Sequence, residues 1–129
     1  CVHFTGKVPH HLIGSYYLLA DVFLSLYDRS NLGNPLLEAL FFGCPIVTVS
    51  DGSTDHLLRD GDNAFLVPLS EMETELPKKV GTILGDRSLQ AGLRRKAKET
   101  FLNELVDWKE RMLREHEFIE EVIAGSKGG

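Results

Sequence analysis

The segment SNLGNPLLEALFFG, residues 30–43, is a polar, glycine-containing turn that opens a short apolar helix. Asn34 is predicted to cap this helix and Pro35 to be its first residue, because the fixed φ of proline suits a helix and its missing N–H would be unpaired there. Gly43 is predicted to end the helix. Between Pro35 and Gly43 the only polar residue is Glu38, so the helix is expected to be buried on most sides.

Glu38 needs a polar partner, since burying an unpaired carboxylate is costly. A bound nucleoside diphosphate would provide one: its ribose hydroxyls would donate to Glu38, and its phosphates would accept the N–H groups of Asn31, Leu32 and Gly33 at the helix start. Gly33 has no side chain to hinder such an approach. The structural alternative is that Glu38 favours the helix dipole or pairs with a basic residue such as Arg59. The residues alone leave both interpretations open.

Length and composition indicate one globular domain. The chain has 129 residues, of which 43% are apolar and 26% charged. Its net charge of −5 argues against a general surface for nucleic acids or anionic membranes. We expect a folded domain over residues 1–124 and a flexible tail over 125–129. Because the sequence begins at Cys1, without an initiating Met and already in a strand pattern, we expect a segment of a longer protein.

Cysteine and histidine usage predicts no metal and no disulfide. Cys1 and Cys44 have neither metal-ligand spacing nor a disulfide framework, which is typical of a reducing cytoplasm, and Cys44 is predicted to be a small core residue. The histidines also lack ligand spacing. Neither a membrane-spanning apolar run nor a signal peptide is visible in the sequence.

Hydrophobic patterns predict an α/β fold. Strands are predicted at 2–4, 22–27, 45–50 and 64–67, and helices between them at 10–19, 34–43 and 54–58. This alternation implies right-handed crossovers and a Rossmann-like parallel sheet with helices on both faces. Three further helices are predicted. The first spans residues 76–84, the second begins after a cap at Asp86, and the third spans residues 107–123. The last carries an apolar stripe of Trp108, Met112, His116, Ile119 and Ile123.

Two polar glycine turns follow neighbouring strands of this predicted sheet. One is the turn before Asn34, and the other contains Asp51 and Gly52. Ligands of open parallel sheets bind beyond the carboxyl ends of the strands, where both turns are expected to lie. His56 is the one histidine placed to touch such a ligand. A Ser-His-Asp pattern is absent, since Ser50 and Ser53 lack the flanking glycines of a nucleophile elbow.

Five stretches carry a resemblance to a known family: VHFTGKV (2–8), LADVFL (19–24), GNPLLEAL (33–40), GCPIV (43–47) and RDGDNAFLV (59–67). In this order and spacing, the chain resembles the carboxy-terminal, donor-binding domain of the family-four retaining glycosyltransferases, which have the GT-B fold. The resemblance covers most of the chain. It implies an incomplete domain, because the strands that carry the Arg and Lys contacts to the diphosphate, and the whole acceptor domain, would precede residue 1.

The resemblance also assigns roles to residues. It makes Glu38 the ribose ligand and places contacts to the base at Lys7 and Val8, mostly through the backbone. A second family glutamate, which contacts the donor sugar near the reacting centre, falls on Ser30, whose hydroxyl can hydrogen-bond a sugar but supplies no charge to the transition state. His56 likewise stands where many members have a glutamate, and its neighbour Asp55 could substitute.

These implications lead to one expected function and two alternatives. We expect part of a retaining transferase that takes a UDP-, GDP- or ADP-sugar, without metal or other cofactor, and passes the sugar to a glycan or lipid-linked acceptor. The expected location is cytoplasmic, with a peripheral position on a membrane also open, and the segment alone is expected to be inactive. The final helix would pack on the missing domain or form a dimer. The alternatives are a GT-B epimerase or phosphorylase, and a non-catalytic binding or scaffold homologue.

Overall fold

The computed structural model of the chain describes residues 1–26, 33–105 and 108–126. Its elements are, in chain order, α1 (His10–Leu19), β1 (Phe23–Ser25), α2 (Asn34–Phe42), β2 (Ile46–Ser50), β3 (Phe65–Pro68), a 3₁₀ turn (Leu69–Glu71), α3 (Met72–Gly85), α4 (Arg87–Glu104) and α5 (Trp108–Ser126).

The described strands form a parallel sheet in the order β1-β2-β3. Phe23 of β1 pairs with Ile46 of β2, and Val47 of β2 pairs with Phe65 of β3. Successive residues of the central strand β2 enter different cores. Ile46 joins a cluster with residues of α1, α2 and α4, and Val47 joins one with residues of α3 and α4. Helices therefore cover both faces of the sheet, which confirms the predicted α/β class.

Helix α2 is buried on one side only, less than its composition predicts, since Phe41 is 53% exposed. Leu36, Ala39 and Leu40 are in the core, and the helix ends at Gly43, which has a φ of 68°. Only glycine adopts this left-handed conformation readily. A β-carbon at Gly43 would also lie 2.9 Å from the Arg94 carbonyl oxygen of α4, so the glycine allows the two helices to pack closely.

The predicted first strand, residues 2–4, does not form. Val2 and Phe4 are 79% and 96% exposed, and the described residues contain no strand beside them. A strand needs a neighbour to pair its backbone groups, and a local pattern of apolar residues supplies none. Of the next predicted strand, 22–27, residues 23–25 are extended in β1, and residue 27 lies outside the described part of the chain.

The predicted helix at 54–58 is a single turn. The N–H groups of Leu57 and Leu58 donate to the Thr54 carbonyl, but the next N–H, that of Arg59, donates to the Asn63 side chain over 2.7 Å. Asn63 is fully buried and also donates to the Leu57 carbonyl. This side chain takes the hydrogen bond that would have extended the helix.

The C-terminal half is helical as predicted, with different bounds. Helix α3 begins at Met72, earlier than predicted, which leaves Pro77 inside it. Asp86 caps α4 by accepting the N–H groups of Ser88 and Leu89. Helix α5 continues to Ser126, into the predicted tail, and residues 127–129 lie outside the described part of the chain.

Candidate functional site

The candidate site lies where β1 and β2 end and α2 begins. The Thr48 hydroxyl of β2 donates to the Ser25 carbonyl of β1 over 2.8 Å, which ties the two strand ends together. Three predicted ligand contacts, Ser30, Asn31 and Leu32, lie outside the described residues. The described parts of the site are the start of α2, the side chain of Glu38, the face of α1 above it and the turn after β2.

The start of α2 differs from the prediction by one residue. Gly33 is the N-cap and Asn34 the first helical residue, and the cap makes no side-chain hydrogen bond. The Gly33 carbonyl accepts the N–H groups of Leu36 and Leu37 over 3.0 and 3.3 Å. Pro35 in the first turn has no N–H to donate, so the N–H groups ahead of the first helical hydrogen bonds are those of Gly33 and Asn34.

Glu38 finds its polar partners on helix α1. Its carboxylate is 28% exposed and lies 3.4 Å from Nε2 of His10, whose side chain is 87% exposed. Arg59, the basic partner considered from the sequence, instead lies 4.0 Å from Glu104. A pair so exposed on one side contributes little to stability, so His10 does not by itself account for the carboxylate in this apolar helix.

Tyr17 is the other α1 side chain at this carboxylate. Its hydroxyl donates to the Pro35 carbonyl over 3.0 Å, and its ring packs between Phe23 and Phe42 with centroid distances of 5.4 and 5.8 Å. Burial, and then the charge and hydrogen-bonding oxygens of Glu38, raise the pKa of Tyr17 to about 12. The hydroxyl and the carboxylate are therefore close neighbours.

Tyr17 also lines a cavity of about 410 Å³. Its remaining lining residues are Gly6, Val8, Ile13, Tyr16, Ala20 and Phe23. This volume is in the range of small-molecule pockets, and the lining is mostly apolar and aromatic. Val8, one of the two residues predicted to contact a base, lines the cavity, and the side chain of the other, Lys7, is exposed.

The turn after β2 is held by its own side chains. Asp51 Oδ1 accepts the N–H of Ser53 over 2.9 Å and its hydroxyl over 2.7 Å, and Gly52 has a φ of 84°. Asp55 and His56 are exposed just beyond it. The Thr54 hydroxyl is buried and makes no hydrogen bond to the described part of the chain.

Tyr17 is not among the functional residues predicted from the sequence. The signal that could have identified it is spacing: His10 and Tyr17 are two helical turns apart, with Gly14 between them on the same side of α1. A face that carries a histidine, a glycine and a tyrosine is unusual for pure core packing. It indicates that α1 meets a polar group of another element, and that group is Glu38.

Within the ranges that the structure describes, no group of His, Cys, Asp and Glu side chains could hold a metal ion. Among the same residues, no helix is both long and apolar enough to cross a membrane.

Comparison with known proteins identifies what the chain is similar to. Residues 1–100 match the family model of the glycosyl transferases group 1. Over 84 residues the chain is 29% identical to the lipopolysaccharide core biosynthesis glycosyltransferase LpsE of Rhizobium meliloti (strain 1021), covering 65% of this chain and 24% of that protein. Over 109 residues it is 28% identical to the sulfoquinovosyl transferase SQD2 of Arabidopsis thaliana, covering 82% and 21%. The chain thus spans less than a quarter of either relative.

Two solved structures share the fold. Sucrose-phosphate synthase from Thermosynechococcus elongatus superposes with a TM-score of 0.81 at 21% identity, over 95% of this chain and 30% of that one. The C-terminal domain of a glycosyl transferase group 1 family protein from Francisella tularensis superposes with a TM-score of 0.66 at 18% identity, over 75% of this chain and 49% of that one.

Proposed function

Because the chain belongs to the glycosyl transferases group 1 family, we propose that it forms part of the donor-binding domain of a retaining glycosyltransferase. The donor is a nucleoside-diphosphate sugar, and the acceptor is a glycan or a lipid-linked acceptor bound by a further domain of the full-length protein. The observation that carries the proposal is the half-buried Glu38 carboxylate near the start of α2, beside the tyrosine that lines an apolar cavity.

The diphosphate would bind at the start of α2. The N–H groups of Gly33 and Asn34 lie at the positive end of the helix dipole, which favours an anion. The resemblance adds Asn31 and Leu32 as further proposed contacts to the diphosphate. Negative charge builds on the diphosphate as the bond to the sugar breaks, and these fixed groups stabilise it without a metal ion. The proposal therefore requires no cofactor.

The turn after β2 would approach the donor through its backbone. The Asp51 carboxylate would repel a diphosphate, and its Oδ1 already accepts two hydrogen bonds from Ser53. Gly52 has no side chain and lies at the exposed tip, so its backbone can approach phosphate or sugar closely. Ser30 would contact the sugar by a hydrogen bond in place of the family's glutamate.

The nucleoside would extend from the start of α2 towards α1. Its ribose hydroxyls would donate to Glu38 and so replace the solvent-exposed His10 as the carboxylate's partner. The base would enter the cavity lined by Val8 and Tyr17, with the backbone of Lys7 at its edge. Flat bases fit an apolar, aromatic cavity of this volume, and the few polar groups at its rim would decide which base binds.

Calorimetric titration of UDP, GDP and ADP into the full-length protein tests the proposal. We expect one of the three to bind, and Glu38→Ala to weaken its binding about tenfold or more through loss of the ribose hydrogen bonds. Glu99→Ala is the matched control, because Glu99 is also a helical glutamate in a partly exposed ion pair, with Arg95 in α4. Binding of none of the three nucleotides, or equal weakening by both variants, would contradict the proposal.

A second candidate function is a non-catalytic homologue that binds a sugar nucleotide. The presence of Ser30 and His56 at positions where the resemblance expects glutamates favours it. Nucleotide binding that depends on Glu38, without sugar transfer by the full-length protein, would support this candidate.

A further inference from the structure

We propose that Tyr17 is a positioning residue, which holds Glu38 and the start of α2 in register with the cavity. This inference rests on the proposed function, because it concerns how the three parts of the same nucleotide site are kept together. Tyr17 is the described residue that touches all three parts: its ring lines the cavity, its hydroxyl adjoins the Glu38 carboxylate, and the same hydroxyl bonds Pro35 in the first turn of α2.

The Tyr17 hydroxyl connects α1 to the first turn of α2. Its proton is donated to the Pro35 carbonyl over 3.0 Å, which ties α1 to the turn where Gly33 and Asn34 present their N–H groups. Glu38 lies about one helical turn further along α2 on the same face as Pro35. One hydrogen bond therefore sets the position of α1 against both the proposed phosphate contacts and the proposed ribose contact.

The Tyr17 ring is held in place by aromatic neighbours. It stacks on Phe42 with an interplanar angle of 9° and meets Phe23 of β1 edge-on at 68°, so neighbours from α2 and the sheet hold its plane. Tyr17 is buried, which leaves its ring few alternative rotamers. A fixed wall next to a fixed carboxylate sets the distance between the base and ribose contacts.

A positioning role and a purely structural role for Tyr17 predict different effects on nucleotide binding. If the hydroxyl holds Glu38 as well as the start of α2, removing it should matter most when the ligand has ribose hydroxyls that donate to Glu38. Loss of general stability would instead weaken the binding of a nucleotide and of its dideoxy analogue alike. The ratio of the two affinities therefore separates positioning from packing.

The test is calorimetric titration of the full-length protein with whichever of UDP, GDP and ADP binds the wild type, and with its 2′,3′-dideoxy form. We expect Tyr17→Phe, which keeps the ring, to weaken ribonucleotide binding by about three- to tenfold, as for a lost hydrogen bond. The same substitution should weaken dideoxynucleotide binding by a smaller factor, because only the contacts at the start of α2 are then affected. Combined with Glu38→Ala, it should add less than the loss that it causes alone, because part of its effect acts through Glu38.

Thr100→Val is the control for a buried hydroxyl lost elsewhere. Thr100 lies in α4, and its hydroxyl accepts a hydrogen bond from the Asn63 side chain. This variant should lower the melting temperature without changing the ratio of ribonucleotide to dideoxynucleotide affinity. Equal effects of Tyr17→Phe on both ligands, or additive losses with Glu38→Ala, would overturn the positioning role while leaving the proposed function intact. Failure of all three nucleotides to bind the wild type would overturn the proposed function and this inference with it.

Discussion

Gly14 of α1 lies directly against the ring of Phe42 of α2. A β-carbon at position 14 would come within 2.5 Å of the ring's Cζ and 2.9 Å of Cε1. The ring cannot easily move aside, because it is stacked on Tyr17 and packed edge-on against Phe41 with a centroid distance of 4.9 Å. This contact is what lets α1 approach α2 closely enough for His10 and Tyr17 to reach Glu38.

Gly14→Ala is accordingly expected to destabilise the fold. Overpacking against a wedged ring outweighs the better helix propensity of alanine, for a net loss of about 1–2 kcal/mol in the free energy of unfolding. Gly81→Ala in α3 is the matched control, since its β-carbon would meet nothing within 4 Å. That variant should gain about 0.5 kcal/mol. Denaturant unfolding measures both, and equal effects of the two substitutions would contradict the packing argument.

Replacing the side-chain NH₂ group of Asn63 is predicted to destabilise the fold. Its Nδ2 donates to the Leu57 carbonyl over 2.9 Å and to the Thr100 hydroxyl over 2.8 Å, while Oδ1 accepts the Arg59 N–H. Asn63→Asp would bury a carboxylate against two acceptors and should cost about 3 kcal/mol or more. Thr100→Val removes one acceptor and should cost about 1 kcal/mol. A melting temperature unchanged in Asn63→Asp would refute this.

Lys79 and Lys78 are adjacent but are expected to differ. Lys79 is 20% exposed and donates to both carboxylate oxygens of Asp60, over 2.9 and 3.0 Å, and to the Leu66 carbonyl over 2.8 Å. Lys79→Met should therefore cost about 1–2 kcal/mol of unfolding free energy, because it leaves Asp60 without its counter-charge. Lys78 pairs with Glu75 at the surface, and Lys78→Met should leave the melting temperature unchanged. Thermal unfolding of the two variants compares them.

Stability is expected to fall in alkaline solution. Burial raises the pKa of the Cys44 thiol from 9.0 to about 11, while Arg94 lowers this pKa and Asp21 raises it to lesser degrees. Burial also raises the pKa of Tyr17, from 10.0 to about 12. Both groups have a higher pKa in the folded than in the unfolded state. Their contributions to the free energy of unfolding are therefore complete below about pH 9 and are lost as the pH rises towards 12. Cys44→Ala should flatten the fall between pH 9 and 11 in denaturant titrations. An equally steep fall in this variant would exclude the thiol as a cause.

The elements that could be predicted from the sequence are those whose signals are local. Helix α2 follows from Pro35, an apolar run and Gly43, and β2 follows from a continuous apolar stretch after Cys44. The α/β class follows from their alternation. Glu38 could be singled out because it is the one carboxylate in an apolar helix, and that reasoning requires no knowledge of its neighbours.

The features that could not be predicted depend on distant partners. Residues 2–4 have a strand pattern, but the described chain offers them no strand to pair with. The helix at 54–58 stops after one turn because Asn63 takes the Arg59 N–H. The contact of Tyr17 with Glu38 and Pro35 joins two helices, and its existence depends on how α1 crosses α2, which no local pattern specifies.

The described side chains of α5 are all exposed, including Ile119 and Ile123 of the predicted apolar stripe. The side chains of Trp108 and Met112, which would complete the stripe, lie outside the described residues. The prediction that this helix packs on another domain, or on a second copy of the chain, stays a prediction. Size-exclusion chromatography of the full-length protein with and without an Ile119→Glu substitution separates the two, since only a dimer would dissociate.

A crystal structure of the full-length protein with a bound nucleoside diphosphate would show whether Glu38 is the ribose ligand. We expect ribose hydroxyls within hydrogen-bond distance of the Glu38 carboxylate, phosphate oxygens at the N–H groups of Gly33 and Asn34, and the base in the cavity beside Tyr17. A nucleotide bound elsewhere, with Glu38 still paired to His10, would contradict this role of Glu38.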